Sequence, residues 1–381
     1  EFRRGHAAQI EHRRPQRRMH VGGLQVHRQQ HAEPDRIEGA PHPRDTVRLL
    51  GQDAAEVAFL EAHSTGRLHH GWLLTGPRGV GKATLAWRIA RFLLTHEPDM
   101  GGGLFGDAPP APHSLDVSPD HPVVRRMHAG AEPRLFLLRR AWDEEKKRLK
   151  TVITVDEVRR LKSFFQLSAA DGGRRVAIVD AADDMNTAAA NALLKLLEEP
   201  PPGATLLLVS HQPSALLPTI RSRCRELRLT SLSPVDLATA LANAGVEVEN
   251  AEALAGLSGG SAGEAIRLAN LDGLQTYSSL VSLFGTLPRL DRPAALKLAD
   301  TAAQRGNDTR LDLLLTLMDI FLSRLARSGI MGPPTPEAAT GESALFRRLS
   351  PHAQAARSWA DAQATLGARA RHGLPPLPNE S

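Results

Sequence analysis

The stretch GWLLTGPRGVGKAT, residues 71–84, decides how the rest of the chain is read. An apolar run of strand length, Gly71 to Thr75, leads straight into a glycine-rich turn, and an amphipathic segment of helical period follows. Glycines at 76, 79 and 81 let backbone N–H groups close around phosphate oxygens, Lys82 brings a point charge to the outer phosphates, and the helix N-terminus adds its dipole. Strand, loop and helix stand in the order a phosphate-binding loop requires. The competing reading is a chance glycine turn. Gly76, Gly79, Gly81, Lys82 and Thr84 are therefore the candidate nucleotide contacts.

The loop is incomplete. The residue after the lysine is normally a Ser or Thr whose hydroxyl ligates Mg²⁺, and here it is Ala83. Thr84 lies one residue on, about 100° further around the helix, so it is no direct substitute. A second apolar strand, VAIV at 176–179, ends in Asp180, the kind of carboxylate that sits on the Mg²⁺ side of a bound nucleotide. An ordinary strand-end cap is the alternative for Asp180. In hydrolysing sites of this kind a glutamate follows to polarise the attacking water, and here that position is Ala181. Each lesion removes transition-state stabilisation, so hydrolysis is expected to be slow or absent. ATP or ADP held without turnover is the expected cofactor state, with Mg²⁺ positioning impaired and no metal assigned.

Working outward, residues 35–230 alternate apolar runs with amphipathic helices, the pattern of a parallel sheet covered by helices: an α/β domain. Strands are expected at 71–75, 135–138, 176–179 and 205–210. Thr154 with Glu157 forms a capping-box signature that places Val155, Val158, Leu161 and Phe165 on one helical face. Another helix runs from Asn186 to Glu199 and stops at Pro200, Pro201 and Pro202. Between 95 and 133 the pattern dissolves into Pro and Gly, which reads as a long surface loop. Residues 231–272 read as a small helical lid, with Ser233–Pro234 and Ser261/Glu264 as helix starts and Gly259–Gly260 between them. Residues 273–372 are all-helical and 373–381 a loose tail.

Composition sets the limits. With 41% hydrophobic and 23% charged residues the chain is globular in character. The one cysteine, Cys224, excludes an intrachain disulfide framework and a multi-cysteine zinc site, and suits a reducing cytoplasm. The formal charge of +5 is concentrated at the front, where residues 1–31 hold seven arginines against two glutamates. That segment, with residues 32–34, reads as a disordered basic extension, either appended or a DNA-binding arm. No apolar run follows it, so a secretory signal is not expected. The most apolar stretch, Leu311 to Leu325, is interrupted by Asp312, Asp319 and Arg324 and cannot span a bilayer.

The segment PSALLPTIRSRCRELRL, 213–229, carries a Ser-Arg-Cys triplet at 222–224, preceded by AADDMNTAAANALLKLLEEPPPGATLLLVSHQ. Together these runs closely resemble the clamp-loader branch of the AAA+ superfamily. The resemblance implies that Arg223 reaches across a subunit boundary to the γ-phosphate of an adjacent ATPase, a role for which a planar guanidinium suits a transferred phosphoryl group. Taken alone, Arg221, Arg223, Arg225 and Arg228 could equally form a solvated basic edge. ATP-hydrolysing members, gamma and tau, carry an intact GK[ST], an acidic pair, zinc cysteines and a lid arginine. Ala83, Ala181, a cysteine-free 95–133 loop and Gly263 stand in those places, a pattern that resembles the delta-prime group. It implies a hetero-oligomer with gamma/tau and delta, acting on the sliding clamp and primed DNA in the cytoplasm, with 273–372 as the collar through which subunits assemble. An active gamma-like motor and a DNA-binding module using the basic arm remain the alternatives.

Overall fold

The structure is a computed structural model that describes residues 40–66, 68–96, 112–146, 148–166, 173–248, 250–303 and 308–373. The expected basic extension, most of the Pro/Gly-rich part of the loop and the C-terminal tail lie outside them. Helix α1 (Asp53–Ser64) precedes strand β1 (Gly71–Thr75) and helix α2 (Lys82–Thr95); α3 (Pro122–His128) and β2 (Leu135–Leu138) follow. A short antiparallel pair, β3 (Trp142–Asp143) with β4 (Arg148–Leu149), leads to α4 (Val155–Gln166), β5 (Arg175–Asp180), α5 (Thr187–Glu198) and β6 (Ala204–Val209). The domain closes with α6 (Pro218–Arg221) and β7 (Arg225–Arg228).

Five strands form one parallel sheet in the order β2-β5-β6-β1-β7, the α/β architecture expected of an AAA+ domain. Strand alternation splits its core into two layers. Trp72, Leu74, Val176, Ile178, Leu207 and Val209 pack with α1 and α2, whereas Leu73, Ala177, Val179, Leu206 and Leu208 pack with α4 and α5. Val158, Leu161 and Phe165 of α4 are buried in the second layer as their spacing predicts. The expected capping box is present in altered form: the Thr154 N–H donates to Glu157 Oε2 at 2.8 Å, and the Thr154 hydroxyl also donates to that carboxylate.

The structure departs from the sequence reading in two places. The 95–133 segment contains a helix, α3, whose Val123, Val124 and Met127 are buried against the domain. Its start is capped by His121, whose Nδ1 accepts from Val123 N at 3.2 Å. The basic run after the triplet, for which no strand was expected, is an edge strand, β7, with Arg225, Glu226 and Arg228 exposed and Leu227 buried. Arg225 stacks over Trp72 at 5.3 Å, and Thr75 donates to Glu226 at 2.5 Å.

The lid comprises α7 (Pro234–Asn243), α8 (Ala251–Ser258) and α9 (Ala262–Asn270). Ser233 and Ser261 cap α7 and α9 as expected, accepting from Asp236 N and Glu264 N at 3.1 Å each, and Gly259 ends α8 in the left-handed region. Helices α10 (Gly273–Gly285), α11 (Arg292–Ala302), α12 (Asp308–Met331), α13 (Glu342–Leu349) and α14 (Ala353–Gly373) build the C-terminal block. No helix among the described residues is long and apolar enough to cross a membrane.

Lid and C-terminal block share one apolar core with the first sheet layer. They are also tied by charge. Arg324 of α12 makes a bidentate pair with the fully buried Glu342, at 2.8 and 2.9 Å, and donates to Gly256 O of α8 at 3.3 Å. Tyr277 OH and Ala338 N donate to the same carboxylate at 2.6 and 2.7 Å. Removing one partner of a buried pair strands the other charge, at about 3–5 kcal/mol. Arg324→Leu should therefore lower the urea midpoint of the C-terminal block by a corresponding amount; an unchanged midpoint would show that the pair contributes nothing net.

Candidate functional site

The phosphate loop joins the C-terminal end of β1 to the first turn of α2. Gly76, Gly79 and Gly81 all have positive φ, and Gly79 shows why no other residue fits. At φ +70, a Cβ on Gly79 would stand 2.2 Å from Ser261 Oγ and 3.1 Å from Gly263 N. The lid thus lies directly on the loop, and the Gly263 N–H donates to Gly79 O at 3.1 Å. Gln52 braces the other side, with its amide donating to Val80 O at 3.3 Å and Thr230 O at 2.8 Å while it accepts from Thr230 N at 3.0 Å.

Lys82 is 3% exposed, and its Nζ donates to Gly76 O at 2.7 Å and Pro77 O at 2.5 Å. Burial brings its pKa down to about 8; Asp180 and Asp183 oppose that shift and Arg78 adds to it. The sheet therefore does bring Asp180, at the end of β5, into the field of Lys82. Asp183 is committed elsewhere: it accepts from Ser210 Oγ at 2.7 Å, from Gln212 N at 3.2 Å, and from His211 N. Burial, with the repulsion of Lys82 and Arg78, lowers His211 to about 4, so its ring is neutral beside these cations. Ala83 and Thr84 occupy the first turn of α2 as the sequence places them. The donors around a metal are one hydroxyl short at Ala83. His128, at the end of α3, bonds Asp45 through Nδ1 at 2.7 Å.

Arg223 sits at the opposite end of the sheet. Strand β7 runs parallel to β1, with Trp72 opposite Arg225 and Thr75 opposite Arg228. The Ser-Arg-Cys backbone consequently lies beside Gly71 while the phosphate loop begins at Gly76. At about 3.3 Å per residue this separation is roughly 16 Å, longer than an arginine side chain. Arg223 is half exposed and pairs with Glu198 at 3.0 Å, its Nη1 donating to Thr219 O at 3.2 Å. Cys224 is largely covered, and burial pushes its thiol up to about 12.

Sequence reasoning missed Glu198, which sits in a run that reads as an ordinary helix end. Gly71 was an available signal, because a glycine inside a strand marks a close backbone approach. The lid contact through Gly263 left no signal beyond the absence of a side chain.

A parallel sheet carrying a glycine loop, a buried lysine, a strand-end aspartate and a helical lid defines the chain's first part as a P-loop AAA+ domain. Residues 51–233 match a family model described as DNA polymerase III, delta subunit. The chain is 40% identical over 203 residues to DNA polymerase III subunit delta' of Pseudomonas aeruginosa, covering 52% of this chain and 55% of that protein. It is 37% identical over 162 residues to the delta' subunit of Yersinia pestis, 42% of each chain. Against the gamma/tau subunit of Mycobacterium tuberculosis it is 28% identical over 206 residues, 52% of this chain and 31% of the other. This P-loop domain is similar to that of the DNA polymerase III delta' subunits. The chain spans about half the length of the delta' relatives it matches.

A depressed lysine pKa means that the unfolded chain binds more protons, so stability rises as pH passes from about 8 toward the ordinary lysine value. Lys82→Met should stabilise the protein at pH 7 by on the order of 1–3 kcal/mol, because it removes a buried charge. Denaturation curves should show that gap shrinking between pH 8 and 10; a gap that widens would contradict the buried-charge account.

Proposed function

We propose that the chain is the delta-prime subunit of a DNA polymerase III clamp loader, a subunit of the nucleotidyltransferase holoenzyme that acts in the cytoplasm. It would stand in a hetero-oligomer beside gamma/tau ATPases and delta, and take part in opening the sliding clamp and placing it on primed DNA. Its chemical contribution is Arg223, offered as an arginine finger to the triphosphate of a neighbouring gamma/tau subunit. The observation that carries this reading is the separation of Arg223 from its own phosphate loop by the length of β1. A half-exposed guanidinium that cannot reach its own nucleotide is suited to act on another's.

The chain's own site supports the complementary half. Glycine loop and lysine offer a phosphate cradle, and ATP or ADP bound there would be held by Gly76, Gly79, Gly81 and Lys82, with Thr84 and Asp180 flanking. With Ala83 in place of the metal-ligating hydroxyl and Ala181 in place of the water-polarising carboxylate, that nucleotide would not be turned over.

Arg223→Ala should leave the melting temperature of the monomer nearly unchanged, since its contacts are exposed. In a reconstituted complex the neighbouring site should lose about 10³-fold or more in turnover, read as clamp-stimulated phosphate release and clamp loading. Loading at the wild-type rate would refute the finger. The purified chain alone should release phosphate only at background, and Ala83→Ser should not change this, because Ala181 remains; brisk turnover of either would mark an autonomous motor.

A further inference from the structure

We propose that Glu198 is the positioning residue of Arg223, fixing the direction of the guanidinium before a neighbouring subunit arrives. The inference rests on the reading of Arg223 as a trans-acting finger. Arg223 Nη2 lies 3.0 Å from Glu198 Oε1, and Nη1 lies 3.2 Å from Thr219 O and 3.5 Å from Ser222 Oγ. A guanidinium has five N–H donors in a fixed fork, so these contacts set its plane and leave donors for phosphate oxygens.

The pair does little for stability. Both side chains are about two-fifths exposed, 39% and 42%, and an ion pair in such a setting contributes little to stability. What it limits is freedom. An arginine side chain is rich in rotamers, and a finger that wandered over the surface would have to lose that freedom on meeting the phosphate.

The backbones beneath the pair are anchored to one point. A Cβ on Gly71 would stand 2.8 Å from Leu197 Cδ2, 3.3 Å from Arg223 O and 3.3 Å from Cys224 Sγ, so the end of α5 and the Ser-Arg-Cys segment meet over a residue without a side chain. His70 Nε2 bonds Leu197 O at 2.9 Å and pins the same helix end. Glu198 is the last residue of α5, and prolines at 200–202 prevent the helix from running on. Glu198 and Arg223 therefore extend from two segments clamped to the start of β1, and the geometry of the pair is inherited from the sheet.

The test uses the full chain reconstituted with gamma/tau, delta, the clamp and primed DNA, and reads phosphate release together with assembly by size-exclusion chromatography. Glu198→Ala should assemble normally and turn over about three- to tenfold more slowly, because the finger's starting geometry is lost. Glu198→Gln should retain most of the rate, since its amide oxygen accepts the same hydrogen bond, and Glu198→Lys should be slower than Glu198→Ala. Arg223→Ala combined with Glu198→Ala should be no slower than Arg223→Ala alone. Glu198→Ala turning over at the wild-type rate, or slowing the Arg223→Ala complex further, would overturn the assignment of Glu198 while leaving the finger. An Arg223→Ala complex at the wild-type rate would overturn both.

Discussion

Strand β1 is hydrogen-bonded on both sides, by β6 and by β7, with all three strands parallel. The phosphate loop and the Ser-Arg-Cys backbone lie at its two ends. The C-terminal end delivers the chain into the phosphate loop and α2. The N-terminal end, at Gly71, receives the backbone of the arginine triplet from β7's side and the tip of α5 from the other face. A slip of β7 by one residue would invert its side chains, exposing Leu227, removing Arg225 from Trp72 and carrying Arg223 off its mount. The apolar alternation that fills two core layers thus also fixes where Arg223 stands.

The phosphate loop is held as firmly as the strand. Ser261 and Gly263 of the lid fill the space a side chain at Gly79 would need, Gln52 spans from Val80 to Thr230, and Lys82 bonds two carbonyls of its own loop. Gly263 occupies the place where the hydrolysing relatives were expected to carry an arginine, and its backbone N–H is spent on Gly79 O. Arg267 pairs with Asp312 at 2.6 Å, and Arg324 bonds both Glu342 and Gly256 O, so lid and C-terminal block are cross-linked by charge as well as by a shared core.

Much of this was legible in the sequence because the signals are local. The β1-loop-α2 unit follows from an apolar run, three glycines and a helical period. Ser233, Ser261 and Asn186 start their helices because a short oxygen-bearing side chain can satisfy an otherwise orphaned N–H within its own turn. What escaped depends on distant partners. RELR at 225–228 has no apolar alternation beyond Leu227, and only pairing with β1 makes it a strand. Helix α3 hides in proline-rich surroundings and is held by the apolar faces of Val123, Val124 and Met127. Glu198 gains its meaning only where two segments 25 residues apart converge over Gly71.

Cys224 shares that convergence, and its burial has a chemical corollary. Oxidants, alkylators and disulfide partners all react with thiolate, and a thiol raised to about 12 is almost wholly protonated at neutral pH. As the chain's single sulfhydryl it has no second cysteine with which to pair. Arg223 is therefore followed by a sulfur that serves as packing material and offers little thiolate to the oxidants around it.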